Sequence, residues 1–157
     1  MPGLVKRPVQ SASLSGSHLT IAHTLVYLGW TIAGVTNAVR ITSAGPQTLH
    51  MAERGSINIS CRFELDSNDL GSLDIEWTVM SPDTTKLDQV VLTYVHEEVY
   101  EYPSPLSGRI TFLEADPSGG IASVQVTSLR TTDTNTFQCK VKKAPGIDSR
   151  KVTVEVH

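Results

Sequence analysis

Residues 61–77 read CRFELDSNDLGSLDIEW, which places Trp77 sixteen residues after Cys61, and the only other cysteine is Cys139. In a two-sheet β-sandwich, cysteines on facing strands join the sheets, and a tryptophan between them in the sequence packs against their bridge. The order therefore predicts an all-β sandwich with a Cys61–Cys139 disulfide, formed in an oxidising compartment. The alternative is that both cysteines are buried and unpaired.

Alternation of apolar and polar residues continues on both sides of this stretch. Short runs with a period of two, separated by turn residues, are typical of a sandwich or barrel. We predict a strand A broken at Pro46, followed by strands B 57–63, C 73–79, C′ 89–94, C″ 99–102, D 109–113, E 122–126, F 137–141 and G 152–156. The long interval between Trp77 and Cys139 leaves room for C′ and C″, which predicts an immunoglobulin-like sandwich of the variable type over residues 39–157.

Composition excludes several classes of function. The chain has 157 residues and a formal net charge of −3, and all 16 acidic residues lie in 39–157. A mildly acidic domain is a poor partner for nucleic acid. Neither a nucleophile elbow nor a glycine-rich phosphate loop is present, so we expect no enzyme, no cofactor and no metal. The histidines lack metal-ligand spacing; they are His18, His23, His50, His96 and His157.

Residues 1–38 have the order of a secretory signal peptide. Lys6 and Arg7 precede an apolar run over 19–35, and Thr36-Asn-Ala38 offers small residues at a cleavage site. The alternative is an uncleaved membrane anchor, since a run of this length is at the short limit for a span. Both interpretations place the rest of the chain outside the cell.

Alternation also predicts which side chains face solvent. If Trp77 and Cys139 point into the core, the neighbouring positions on strands C and F point outward from the same sheet. One interpretation is a solvated face with balanced charge. The other is a self-complementary patch that pairs acid with base across a two-fold axis, with tyrosines as anchors. The residues of this predicted face are Asp74, Glu76, Val90, Tyr100, Tyr102, Lys140 and Lys142.

Three segments together resemble the N-terminal domain of the coxsackievirus and adenovirus receptor family. They are Leu73-Asp-Ile-Glu-Trp77, Lys86-Leu-Asp-Gln-Val-Val91 and Cys139-Lys-Val-Lys-Lys-Ala-Pro-Gly146. This family comprises junctional adhesion proteins of the cell surface. The resemblance implies homodimerisation through the C–F–G–C′ face, or pairing with a related immunoglobulin-superfamily protein. It also implies contact of the same face with the adenovirus fibre knob.

The resemblance has further consequences outside that face. It implies an ion pair between Arg109 and Asp133 across the bottom of the sandwich, whereas Phe137 lacks the hydroxyl that a tyrosine usually supplies there. Asn58-Ile-Ser60 is the one N-glycosylation sequon, on the outward side of strand B. Two alternatives stay open: an immune-type variable domain that binds through its end loops, and a soluble decoy form of an adhesion receptor.

Overall fold

The computed structural model describes residues 39–157. The signal peptide expected over residues 1–38 lies outside the described residues. Among those that are described, no helix is long and apolar enough to cross a membrane. The strands are β1 Arg40–Ile41, β2 Thr48–Met51, β3 Ile57–Ile59, β4 Phe63–Glu64, β5 Leu73–Met80, β6 Gln89–Val95, β7 Glu98–Glu101, β8 Ile110–Phe112, β9 Val124–Val126, β10 Asn135–Lys143 and β11 Gly146–Val156.

Two layers make the sandwich. One is a six-stranded sheet in the order β2-β11-β10-β5-β6-β7, and the other is a three-stranded sheet in the order β3-β9-β8, with β1 paired to β4 beside them. Every pairing is antiparallel except that of β2 with β11. Strands β6 and β7 occupy the predicted places of C′ and C″ at the edge of the larger sheet. The prediction of a variable-type immunoglobulin sandwich is therefore confirmed.

The core is organised around the predicted crosslink. Cys61 and Cys139 form a disulfide and are almost fully buried. Trp77 lies directly opposite Cys139 in the pairing of β5 with β10. Its indole Nε1 donates a hydrogen bond of 2.9 Å to the carbonyl of Ala122, which satisfies the one polar group of the buried ring. The indole on β5 is thus hydrogen-bonded to the segment just before β9, so it connects the six-stranded sheet to the three-stranded sheet.

Strand B is less regular than predicted. A continuous strand over 57–63 is wrong, because the structure has β3 and β4 with residues 60–62 between them. The backbone N–H of Cys61 donates to the hydroxyl of Ser123 at 2.9 Å instead of to a carbonyl. The carbonyl of Cys61 still makes a backbone hydrogen bond, because it accepts from the N–H of Ala122. A side chain therefore replaces one rung of the sheet beside the disulfide.

Strand A agrees with its prediction, whereas the limits of strands F and G differ from theirs. Strand A is split around Pro46 as expected, with β1 against β4 and β2 against β11. Strands β10 and β11 are longer than predicted F and G, and a two-residue turn with a cis Ala144–Pro145 bond connects them. The extension of β11 back to Gly146 adds residues to the exposed face of this sheet.

Candidate functional site

The exposed face of the six-stranded sheet brings together the predicted charged residues. Register places Lys140 opposite Glu76, and Lys142 opposite Asp74. The Nζ atom of Lys140 lies 3.1 Å from Oε1 of Glu76, with both side chains partly exposed. This patch, made by Asp74, Glu76, Lys140 and Lys142, is called the charged face below. A surface ion pair of this kind contributes little to the stability of the fold. Its two charges are instead exposed to a binding partner.

The second pair of opposite charges is not joined in the same way. Among the described residues, Lys142 makes no ion pair within 4.0 Å, although Asp74 is its register partner. Lys142 is exposed, whereas Asp74 is half-buried and its Oδ1 is enclosed without a hydrogen-bond partner. The charged face therefore carries one pair joined within the chain, Lys140 with Glu76, and an exposed Lys142 ammonium that is not joined to Asp74.

Strands β6 and β7 place Tyr100 beside the charged face. Thr93 lies opposite Glu76 on one side and Tyr100 on the other, which continues the Lys140–Glu76 row across the sheet. Tyr100 is 46% exposed, and its hydroxyl donates to Oε1 of Glu98 at 3.3 Å. The negative charge of Glu98 raises the pKa of the Tyr100 hydroxyl, so Tyr100 is a neutral donor at physiological pH.

The remaining predicted positions fall at the border of this face. Val90 is half-buried opposite Thr78. Tyr102 is exposed but lies just beyond β7, which ends at Glu101, so its placement within strand C″ is wrong. The ladder stops at this point because Pro103, the residue after Tyr102, has no backbone N–H to donate.

One residue of the face was missed from the sequence. Ile147 is 49% exposed and lies opposite Lys142 on β11. The predicted strand G begins at residue 152, so Ile147 falls outside it. Ile147 therefore adds an exposed apolar side chain to this face, next to Lys142.

Three further predicted residues lie on other parts of the sandwich. Arg109 and Asp133 form a bidentate ion pair at its bottom end, with N–O distances of 2.8 and 2.9 Å. Asn58 is exposed on β3 and belongs to the three-stranded sheet, not to the charged face. The residues of the predicted face thus lie on or beside the six-stranded sheet, and the sequon lies on the three-stranded sheet.

Comparison with known proteins shows the family of this domain. Residues 44–157 match the family described as Immunoglobulin V-set domain. The chain is 41% identical over 126 residues to the "Coxsackievirus and adenovirus receptor homolog" of Danio rerio, which covers 80% of this chain and 34% of that protein. It is 37% identical over 123 residues to "V-set and immunoglobulin domain-containing protein 8" of Mus musculus, covering 76% of this chain and 29% of that protein.

A third relative and a solved structure agree with these matches. The "CXADR-like membrane protein" of Xenopus tropicalis is 31% identical over 137 residues, which is 85% of this chain and 38% of that protein. A structure from work on multimeric cell-adhesive interactions of VGSC beta subunits has a TM-score of 0.58 at 16% identity, covering 75% of this chain and 98% of that one. This last likeness shows the fold alone. The chain spans about a third of the length of the curated relatives it matches.

Proposed function

The chain belongs to the immunoglobulin V-set family, as a domain of adhesion or receptor type related to CXADR-like proteins, and we propose that it mediates homophilic adhesion outside the cell. In this proposal, the charged face binds the same face of a second copy. Its relatives are adhesion and receptor proteins, not enzymes. A related immunoglobulin-superfamily protein with a similar face is the alternative partner of the same chemistry.

The observation that carries the proposal is the unequal pairing of charges on the face. A two-fold interface sets each patch against its own copy, so an acid of one chain can meet a base of the other. Glu76 already holds Lys140 within the chain, whereas Lys142 has no partner within 4.0 Å in residues 39–157. We propose that Lys142 pairs with Asp74 of the second copy. Ile147 and Tyr100 then supply apolar and aromatic contact area on either side.

We expect the Lys142→Glu variant to self-associate at least tenfold more weakly than the wild type. In the homodimer this change would set a second carboxylate against Asp74, and like charges that face each other across an interface cost several kcal/mol. Asp74→Lys should weaken association for the same reason. Mixing the two variants should restore it, because both contacts of the mixed dimer then join opposite charges. Sedimentation velocity of the full chain, at low and high salt, measures each case.

Thr111→Glu is the matched control for that experiment. Thr111 is exposed on β8, in the three-stranded sheet, so the substitution introduces the same kind of negative charge away from the charged face. This variant should associate like the wild type. Association that is unchanged by Lys142→Glu, or a mixture that fails to recover, would contradict the proposed pairing.

A viral contact through the same face is the second part of the proposal. Its support is the 41% identity to a protein whose printed name is a coxsackievirus and adenovirus receptor homolog. We propose that the adenovirus fibre knob and the second copy compete for the charged face. The Lys142→Glu and Thr111→Glu variants again provide the test, since only the first should weaken binding of a fibre knob measured by surface plasmon resonance.

We further propose that Asn58 carries an N-linked glycan after secretion directed by residues 1–38. Asn58 is exposed on β3, so a glycan there would leave the charged face free. We expect glycosidase treatment of the secreted chain to lower its mass. Asn58→Gln and Ser60→Ala should abolish that shift, whereas Ser60→Thr, which preserves the sequon, should retain it. An identical mass before and after treatment would show that the sequon is not used.

A further inference from the structure

Three metal-ligating side chains converge at the parallel edge of the large sheet. Pairing of β2 with β11 sets His50 directly opposite Glu155, and His157 follows two positions after Glu155 on the same side of the chain. Oε1 of Glu155 lies 3.3 Å from Nδ1 of His50 and 3.7 Å from Nε2 of His157. The two imidazole rings stack with centroids 5.7 Å apart. One ligand atom from each residue falls within 4.8 Å of the other two.

These distances approach those of a zinc coordination shell. With Zn–N bonds of about 2.0–2.1 Å, the donor atoms of a tetrahedral site lie roughly 3.3 Å apart. Oε1 of Glu155 is already at that distance, 3.3 Å, from Nδ1 of His50, and it lies 3.7 Å from Nε2 of His157. Two imidazoles and one carboxylate favour Zn²⁺ over Mg²⁺ or Ca²⁺, which prefer oxygen ligands.

We propose that His50, Glu155 and His157 form a binding site for Zn²⁺, with water as the fourth ligand. All three side chains are at least partly exposed, so solvent reaches the fourth position without any rearrangement. The bound metal would clamp β2, near the start of the domain, to the end of β11. This site is separate from the charged face and does not depend on the proposed adhesion.

Isothermal titration of the full chain with ZnCl₂ tests the site directly. We expect one equivalent of Zn²⁺ to bind, and expect His50→Ala, His157→Ala and Glu155→Gln each to weaken binding at least tenfold, because even groups that only support a ligand change metal affinity 10–100-fold. Zn²⁺ should also raise the melting temperature of the wild type, since a ligand of the folded state stabilises it. That rise should disappear in the three variants.

Two controls separate this site from adventitious binding by other histidines. His96→Ala removes an exposed histidine from the turn between β6 and β7, and His18→Ala/His23→Ala removes both histidines of residues 1–38. Each control should bind Zn²⁺ like the wild type. In an NMR spectrum of the imidazole nitrogens, the metal should shift His50 and His157 and leave His96 unmoved. Equal affinity in wild type and His50→Ala, or loss of binding in a control, would overturn the proposal.

Discussion

Replacing Cys61 and Cys139 together with alanine is expected to lower the free energy of unfolding by about 4 kcal/mol. The bond connects residues 78 positions apart, so it removes a large part of the conformational freedom of the unfolded chain. Urea unfolding followed by tryptophan fluorescence measures the change, because Trp77 lies opposite Cys139 in the core. Alanine is preferred to serine, since both sites are buried and a hydroxyl there would lack a partner.

The same loss should follow from reduction of the wild-type disulfide. A thiol reductant should therefore bring the stability of the wild type close to that of the Cys61→Ala/Cys139→Ala variant, and should leave the variant itself unchanged. The slope of free energy against urea serves as a check that both proteins unfold in one step. A variant as stable as the oxidised wild type would mean that the crosslink contributes nothing to the fold.

The disulfide was predictable from the order of Cys61, Trp77 and Cys139, and the inward direction of these side chains was predictable because strand alternation is local. In β5, the residues that flank Trp77 alternate without interruption, and β10 does the same around Cys139. Nothing beyond the next two residues is needed to decide which side chains point inward. The charged face follows by the same logic, because its residues are the outward neighbours of those two core positions.

Strand G shows why other parts were not predictable. Asp148 and Arg150 occupy inward positions of β11, in phase with Val152. Because both residues are charged, the alternation of apolar and polar residues that indicates a strand is absent from this part of the sequence. Their partners come from distant segments: Asp148 accepts from the backbone N–H of Ile41 at 2.8 Å, and Arg150 donates to the carbonyl of Ser60 at 3.3 Å. Such pairing is decided by the tertiary structure, and Ile147 was missed as a result.

The cluster of His50, Glu155 and His157 could not be predicted from the sequence, for a related reason. His50 and His157 are far apart in the sequence, and only the parallel pairing of β2 with β11 brings them to one Glu155 carboxylate. Motif spacing detects ligands that share one element. It does not detect ligands that belong to strands joined across a sheet, so the sequence led to the expectation of no metal.

Asp133→Ala is expected to destabilise the domain by about 3–5 kcal/mol, because it leaves the buried charge of Arg109 without its partner. The Arg109 guanidinium donates to both carboxylate oxygens of Asp133 and also to the carbonyls of Pro105, Thr127 and Ser128. The two side chains are only 10% and 2% exposed. Asp133 also accepts from the backbone N–H of Arg130 at 2.8 Å, and this donor would be orphaned as well.

A double variant separates the pair from its surroundings. Removing both charges, in Arg109→Met/Asp133→Leu, should cost less than Asp133→Ala alone, since replacing a whole buried ion pair with apolar groups is often neutral. Urea unfolding of Arg109→Met, of Asp133→Leu and of the double variant gives the coupling energy between the residues. Strictly additive losses would show that Arg109 and Asp133 act independently, in conflict with the bidentate geometry.

The pH dependence of stability should carry the signature of the same ion pair. Burial raises the pKa of Asp133, but hydrogen bonds from Arg109 and from the Arg130 N–H, together with their positive charges, outweigh it and hold the pKa below its usual value. A carboxyl whose pKa is lower in the folded state stabilises the fold above its unfolded pKa of about 3.9, and this stabilisation is lost as the pH falls toward the folded value. The wild type should therefore lose stability below about pH 4 more steeply than Asp133→Asn, which cannot titrate. Parallel curves for the two proteins would show that Asp133 carries no stabilising charge.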